Sequence, residues 1–355
     1  MSAVAQRMGL NVWEVDVSRV VPGGDERAAP PQINLSEIPP AAPLILHVNP
    51  PVLAWTLLHL PRRLVKGRRV IGYWAWELPR IPLSWALGLQ FVHEVWAPSH
   101  FAAGAIAREF AGPVRNVPHP LAEMPPRPAQ MDRAAFGIPG DSFVVLTSFD
   151  LNSSLIRKNP EGAIAAFRQA FGDRPNALLI LKVMNHDRFP NDFAALRDRV
   201  AESSNIRLEV RAFPSQDNYA LMAACDVVLS MHRSEGFGFV PAEAMLLGVP
   251  VVATNWSATA EFLDASCGMP VPYTLVPAHD PRGAYEMPHT CWAEPSVGAA
   301  ADALLALAAD NILRQNLGAA ACKAAAARLG AARFARAVAE FGLIAEPQAL
   351  LALAE

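Results

Sequence analysis

The residues best placed to do chemistry are two carboxylates, Glu235 and Glu243, on either side of the turn Gly236-Phe-Gly238. The backbone of Gly236, Phe237, Gly238 and Phe239 can line an anion site, helped by the positive end of the helix that follows. A diphosphate suits such a site, because negative charge develops on it as a leaving group and preorganised donors stabilise that charge. Glu243 can then accept from ribose hydroxyls and Glu235 from the hydroxyls of a sugar. The plainer alternative has Glu243 complementing the helix dipole and Glu235 solvated on the turn. Arg157-Lys158 adds a bidentate donor and a compact cation, both suited to phosphate. Solvated loop charges are the bland reading of that pair.

A dinucleotide fingerprint fits less well. Gly236-Phe-Gly-Phe-Val-Pro241 has Pro where the third glycine belongs, and the next strand ends at Thr254-Asn255 without an acid for a ribose. A second group of interest is Trp74, Trp76 and Glu77 after a strand end, where the indoles could stack on a sugar and Glu77 bind its hydroxyls; core packing and a solvated loop are the alternatives. His47 reads as structural, His119 as a hinge residue and His232 as sheet packing.

These residues need elements to hold them. Asp226–Ser230 reads as a buried parallel strand, the helix opens with Pro241 at its first position, Gly248 stops it, and Val251–Thr254 is the next strand. Upstream, Ser142–Phe149, Ala177–Val183 and Ile206–Val210 read as strands, alternating with helices over 160–171, 192–202 and 216–224. Arg157-Lys158 falls in the loop at the carboxyl end of the first of these strands, toward the same crevice as Gly236. Beyond Val271 a long loop precedes a helix over 293–309.

The first part of the chain opens with a helix over 2–8, an alternating strand over Leu10–Val17 and an irregular loop over Val21–Pro43. Strands at Leu44–Val48, Arg69–Trp74 and Glu94–Pro98 follow, with a helix over 52–64 and another over 101–110 capped by Ser99. The proline cluster over 120–128 is the best linker. This gives an N-terminal domain over 1–125, a C-terminal one over 130–330, and helices over 331–355 that pack back toward the N-terminal domain. Strand–helix alternation argues doubly wound α/β domains with a cleft between them.

The chain has 355 residues, a hydrophobic fraction of 52% and a net charge of −3, which excludes a general polyanion binder. Its four cysteines are far apart, without zinc or dithiol spacing. No leader or membrane-length apolar run is evident, so a cytoplasmic protein is expected. The basic run of residues 62–69, beside Trp55, Leu57, Leu58 and Leu60, suits contact with anionic lipid, with a solvated face as the alternative.

The stretches Arg157-Lys-Asn-Pro-Glu-Gly162, Cys225–Gly238 and Glu243-Ala-Met with Gly248-Val-Pro-Val-Val-Ala253 resemble the group 1, GT-B-fold retaining glycosyltransferases. Tyr73–Pro79, Glu94–Ser99 and Trp292-Ala-Glu-Pro295 look like a branch found in bacterial polysaccharide loci. The resemblance implies two Rossmann-like domains and a GDP- or UDP-linked hexose donor, mannose-like or glucose-like, held by the C-terminal domain. The acceptor would be a saccharide or lipid-linked saccharide at the inner face of the membrane. It gives Glu243 to the ribose, Glu235 to the donor sugar and Lys158 to the diphosphate, with neither metal nor cofactor. Two departures stand out. Phe149-Asp150 stands where the family has a Gly-Arg pair, so either Arg157 substitutes or a phosphate contact is lost. The family's opening strand and glycine loop have no counterpart, so a nucleotide-binding protein without turnover is the alternative.

Overall fold

The computed structural model describes residues 1–18, 21 and 37–342. They form two compact units, Met1–Glu123 with the described residues from Ala331 on, and Met124–Gly330.

The first unit is a four-stranded sheet in the order β1 (Leu44–Leu46), β2 (Val70–Tyr73), β3 (Glu94–Ala97) and β4 (Val114–Asn116), all parallel. β2 and β3 are buried throughout; β2 is a continuous apolar run, and the one charged residue of β3, Glu94, accepts from the Trp96 indole N–H at 2.7 Å. One face of the sheet packs Ile71, Tyr73 and Trp96 against Val4, Phe334 and Val338, from the helices Ser2–Arg7 and Ala332–Glu340. Ser99 caps the helix His100–Ala107 as expected, its side chain accepting from the Ala102 N–H. Three expectations change here. Leu10–Val17 joins no ladder; Leu10 and Val12 instead pack onto the apolar cluster of that face. The helix expected over 52–64 is two, Pro50–His59 and Arg62–Val65, because Pro61 between them has no N–H to continue the ladder. Most of the loop expected over Val21–Pro43 lies outside the described residues.

The second unit carries β5 (Phe143–Asp150), β6 (Ala177–Met184), β7 (Ile206–Glu209), β8 (Val227–Ser230), β9 (Val251–Thr254) and β10 (Met269–Val271). Their order is β10-β9-β8-β5-β6-β7, every pair parallel. The chain winds outward from β5 to β7 and then returns to β8 on the other side of β5. That reversal is the topological switch point, where open α/β sheets bind ligands outside the strands' carboxyl ends. Helix Pro160–Phe171 buries Ala163, Ile164, Phe167 and Phe171 against this sheet, while helix Val297–Ala309 adds Leu304 and Leu307 to the same core. The expected loop after Val271 is instead an antiparallel pair, β11 (Tyr273–Pro277) and β12 (Cys291–Pro295). Ala293 therefore lies in a strand, and its helix begins four positions later, capped by Ser296. Each unit is thus a parallel sheet layered with helices, as the strand–helix alternation predicts.

Candidate functional site

The site grows from the two strands that meet at the switch point. β5 and β8 are paired through Val145↔Val227 and Leu146↔Val228, so the segments leaving their carboxyl ends emerge side by side. The first forms a short helix, Leu155–Lys158, whose cap Ser154 accepts from the Arg157 N–H at 3.3 Å. Asn159 then turns the chain in the left-handed region (φ 52°), which asparagine tolerates better than most residues. Its side-chain oxygen caps the next helix by accepting from the Gly162 N–H at 3.1 Å, and its Nδ2 donates to the Met231 carbonyl at 2.9 Å. Glycine is required at 162, since a Cβ there would lie 2.5 Å from Asn159 Nδ2. The Arg233 N–H donates to the Arg157 carbonyl at 2.8 Å. One asparagine and one backbone bond thus tie the β5 segment to the β8 segment.

This tie brings three charges together. Lys158 Nζ donates to Glu235 Oε1 at 2.5 Å, and Arg157 Nη1 stands 3.3 Å from Glu235 Oε2 while donating to the Ser234 carbonyl at 2.7 Å. Arg157 is 2% exposed and Glu235 9%. Burial alone would raise the Glu235 carboxyl, but the charges of Lys158 and then Arg157 outweigh it and hold it at about 2. Glu235 is therefore a fixed carboxylate at neutral pH, facing two cations. The positive excess and the spare donors of Lys158 suit an anion.

The backbone around Glu235 is held just as firmly. Its N–H donates to Ser257 Oγ at 2.8 Å, and its carbonyl accepts from the Ala258 N–H at 3.3 Å. Ser257 sits at φ 61°, a conformation that costs a non-glycine residue about 1–3 kcal/mol and is kept where surroundings demand it. Gly238, at φ 98°, turns the chain into the helix Phe239–Leu246. A Cβ on Gly238 would lie 2.7 Å from Thr259 Oγ1, so both conformation and space require glycine. Pro241 proves to be third in this helix, not first. It is tolerated there because first-turn N–H groups have no intrahelical acceptor to lose. The remaining first-turn N–H groups and the glycine turn form the positive end of the helix.

Glu243, one helical turn on, accepts from the Tyr219 hydroxyl at 3.2 Å, and burial raises its carboxyl above the usual range. Phe237 is buried against Phe262 with ring centroids 5.8 Å apart, whereas Phe239 is exposed. His232 is buried beneath the turn, 2.9 Å from Ser230 Oγ; burial lowers its pKa to about 4, so the ring is neutral at pH 7. Ser234 Oγ and Thr259 Oγ1 are buried without a hydrogen bond among the described residues.

Arg157, Lys158, Glu235, Gly236, Phe237, Gly238, Phe239 and Glu243 thus stand in one unit around one switch point. Glu77 belongs to the other unit, in the segment after β2. Its neighbours Trp74 and Trp76 are core residues. With Trp85 they form a buried edge-to-face cluster, and their indole N–H groups donate to the carbonyls of Val48 and Arg80. Trp74 has no exposed surface, so the expectation that its ring stacks on a sugar gives way to packing. Ser257, Thr259, Asn159 and Tyr219 were not singled out from the sequence. Only Asn159 carried a signal, as a helix cap before Pro160; the others come from distant segments. Among the described residues no three His, Cys, Asp or Glu side chains gather as a metal site.

A model of the glycosyl transferases group 1 family matches residues 160–287, the segment from the helix after Asn159 through the glycine turn and Glu243. A search of curated proteins by sequence gives no match. Among solved structures, the chain is similar to Anabaena HepE in complex with UDP and glucose, at 20% identity, covering 77% of this chain and 71% of that one with a TM-score of 0.56. It is also similar to sucrose-phosphate synthase from Thermosynechococcus elongatus, at 18% identity, with 84% and 72% coverage and a TM-score of 0.62. WaaG, a glycosyltransferase involved in lipopolysaccharide biosynthesis, matches at 18% identity, 81% and 80% coverage and a TM-score of 0.55. At these identities the structures establish the fold, and the family model covers the part of the site that carries Glu235, the glycine turn and Glu243. Residues 160–287 thus match the group 1 glycosyltransferase family, in a chain whose fold is that of the GT-B glycosyltransferases.

Proposed function

We propose that the chain transfers a hexose, mannose-like or glucose-like, from a GDP- or UDP-linked donor to a hydroxyl of a saccharide or lipid-linked saccharide, with retention of configuration. The observation that carries this reading is the buried Glu235 carboxylate held between Lys158 and Arg157 beside the positive end of the helix Phe239–Leu246. The family model over residues 160–287 supports it, as does the UDP and glucose bound by HepE.

In this scheme the helix end and glycine turn take the diphosphate, with Lys158 supplying charge from one side. Arg157, buried beneath Ser234, positions the Glu235 loop and adds to the positive field. Glu243 accepts from the ribose hydroxyls, and Glu235 from hydroxyls of the sugar, which its fixed ionisation makes it well suited to do. The bond between the anomeric carbon and the diphosphate oxygen breaks as the acceptor oxygen attacks from the same face. The acceptor's proton passes to the departing phosphate oxygen. Donors placed where that charge develops lower the barrier. Neither metal nor cofactor enters the scheme. Glu77, in the first unit, would contribute to sugar or acceptor recognition.

The setting we propose is polysaccharide biosynthesis in the cytoplasm, at the inner face of the membrane, where the basic segment of residues 62–69 offers a lipid-linked acceptor a surface contact. Product analysis tests the mechanism. With a donor the protein turns over, NMR of the product linkage should show the donor's own anomeric configuration. An inverted linkage would refute same-face attack, and nucleotide binding without transfer to any acceptor or water would reduce the chain to a nucleotide-binding protein.

A further inference from the structure

The solvent face of two helices in the first unit is apolar where a surface helix is usually polar. Helix Pro50–His59 turns Leu53 and Thr56 inward and exposes Pro51, Trp55 and Leu58, a stripe at i, i+4 and i+7. The next crossover, Leu83–Leu89, buries Trp85 and Gly88 and exposes Leu83 and Leu87, with Phe91 a turn further on. Leu58 is 81% exposed and Leu83 92%. The two segments touch at Gly88, where a Cβ would lie 2.5 Å from Pro50 Cβ, so they pack closely side by side. They link β1 to β2 and β2 to β3, consecutive neighbours in the sheet, and right-handed crossovers place both on one face. The opposite face is the one covered by the helices Ser2–Arg7 and Ala332–Glu340.

The charge along this stretch is mostly positive. From Pro50 to His93 the chain holds six Arg and Lys residues and a single acid, Glu77, although the whole chain is at −3. The six divide by their contacts. Arg68 is spent on the carbonyls of Pro39 and Ala42, Arg69 lies over the Phe341 ring 4.0 Å from its centroid, and Arg80 pairs with Glu109. Arg62, Arg63 and Lys66 are exposed and make no ion pair among the described residues. They follow directly on the apolar stripe of Pro50–His59. No helix among the described residues is long and apolar enough to cross a membrane.

We propose that the helix pair 50–65 and 83–91 is a docking face for an anionic lipid surface. Trp55, Leu58, Leu83 and Leu87 enter the boundary between headgroups and acyl chains, and Arg62, Arg63 and Lys66 pair with the lipid phosphates. Exposed Trp and Leu flanked by Arg and Lys are the composition that lies in a membrane interface, and the basic flank selects an anionic surface over a neutral one. The inference deepens the acceptor side of the proposed function and rests on that reading for its purpose, but its readout is binding and needs no turnover.

The test is flotation of the full chain with vesicles of phosphatidylcholine alone and with phosphatidylglycerol added. The chain floats with the anionic vesicles, and added salt weakens its binding. The triple variant Arg62→Gln/Arg63→Gln/Lys66→Gln binds them roughly a hundredfold more weakly, at about fivefold per cation. Leu58→Ser/Leu83→Ser/Leu87→Ser also loses binding, with an unchanged melting temperature because the replaced side chains are exposed. Both triple variants keep wild-type stabilisation by nucleotide, which separates a failure of this proposal from a failure of the donor assignment. Absence of flotation with anionic vesicles overturns the proposal, as does equal binding to both vesicle types or by both variants. A dimer that Leu58→Ser dissolves, in a chain that ignores vesicles, assigns the face to a second copy and overturns it too.

Discussion

Replacing Glu235 with Gln removes one charge and keeps the shape, so it isolates what the carboxylate does between Lys158 and Arg157. A carboxyl held at about 2, against an ordinary 4.5, favours the ionised folded state by roughly 3 kcal/mol. The sign follows from the depression. Below 4.5 the unfolded chain takes up this proton before the folded chain does. The stabilisation is therefore complete above the unfolded value and drains away as pH falls from 4.5 toward 2. Glu235→Gln should then be less stable than the wild type by about 3 kcal/mol at pH 7, narrowing to about 1 kcal/mol at pH 3. Urea unfolding of both proteins across that range reads the gap directly. The same variant makes the site one charge more positive, so GDP and UDP should bind at least as well while turnover falls by a factor of about a hundred or more. A stability gap that does not change with pH would refute the ion-pair argument. Wild-type turnover in the variant would refute the role given to Glu235.

Other perturbations probe the rest of the site. Gly238→Ala places a β-carbon at φ 98° against Thr259 Oγ1 and should cost about 1–3 kcal/mol, read as a lower melting temperature, together with loss of nucleotide stabilisation. Glu243→Ala should abolish stabilisation by GDP or UDP, and a shift equal to the wild type's would remove the ribose from Glu243. Because burial raises the Glu243 carboxyl, nucleotide affinity should weaken on acidification at a pH above the ordinary carboxylate range, an effect absent in Glu243→Gln. Tyr219→Phe, which takes away the hydroxyl that donates to Glu243, should weaken nucleotide binding by about ten- to a hundredfold, the worth of a hydrogen bond to a charged group.

Much of the second unit was legible in the sequence because its signals are local. Pro160–Phe171 reads as a helix from Asn159-Pro160 at one end and Gly172 at the other, and that is where it lies. Val251–Thr254 follows Gly248-Val-Pro250 and is a strand throughout. The shared crevice was also accessible, since Arg157-Lys158 follows the carboxyl end of one strand and Gly236 that of another. Where the reading fell short, the deciding contact was distant in sequence. Leu10–Val17 alternates like a strand, but a strand needs a partner, and these residues pack on the helix Ala332–Glu340 side of the sheet instead. Cys291–Pro295 reads as the end of a loop and the start of a helix, but Tyr273–Pro277 makes it a strand by pairing with it antiparallel.

At the site the division is the same. The chemical types of Glu235, Lys158 and Glu243 announced themselves, whereas Ser257 under the Glu235 N–H and Tyr219 beside Glu243 come from segments far away in the chain. Trp74 and Trp76 carried a misleading signal, because an aromatic after a strand end serves a sugar platform or a core equally well. Only burial tells them apart.

The central claim is that the switch-point site moves a sugar off a nucleotide. Its most direct test is release of GDP or UDP from a panel of nucleotide-diphosphate hexoses by the purified chain, alongside Glu235→Gln. The account predicts release from at least one donor, accelerated by acceptor and reduced about a hundredfold or more in the variant, which still binds the free nucleotide. Release that is unchanged in Glu235→Gln, or nucleotide bound but never released from any donor, would contradict it.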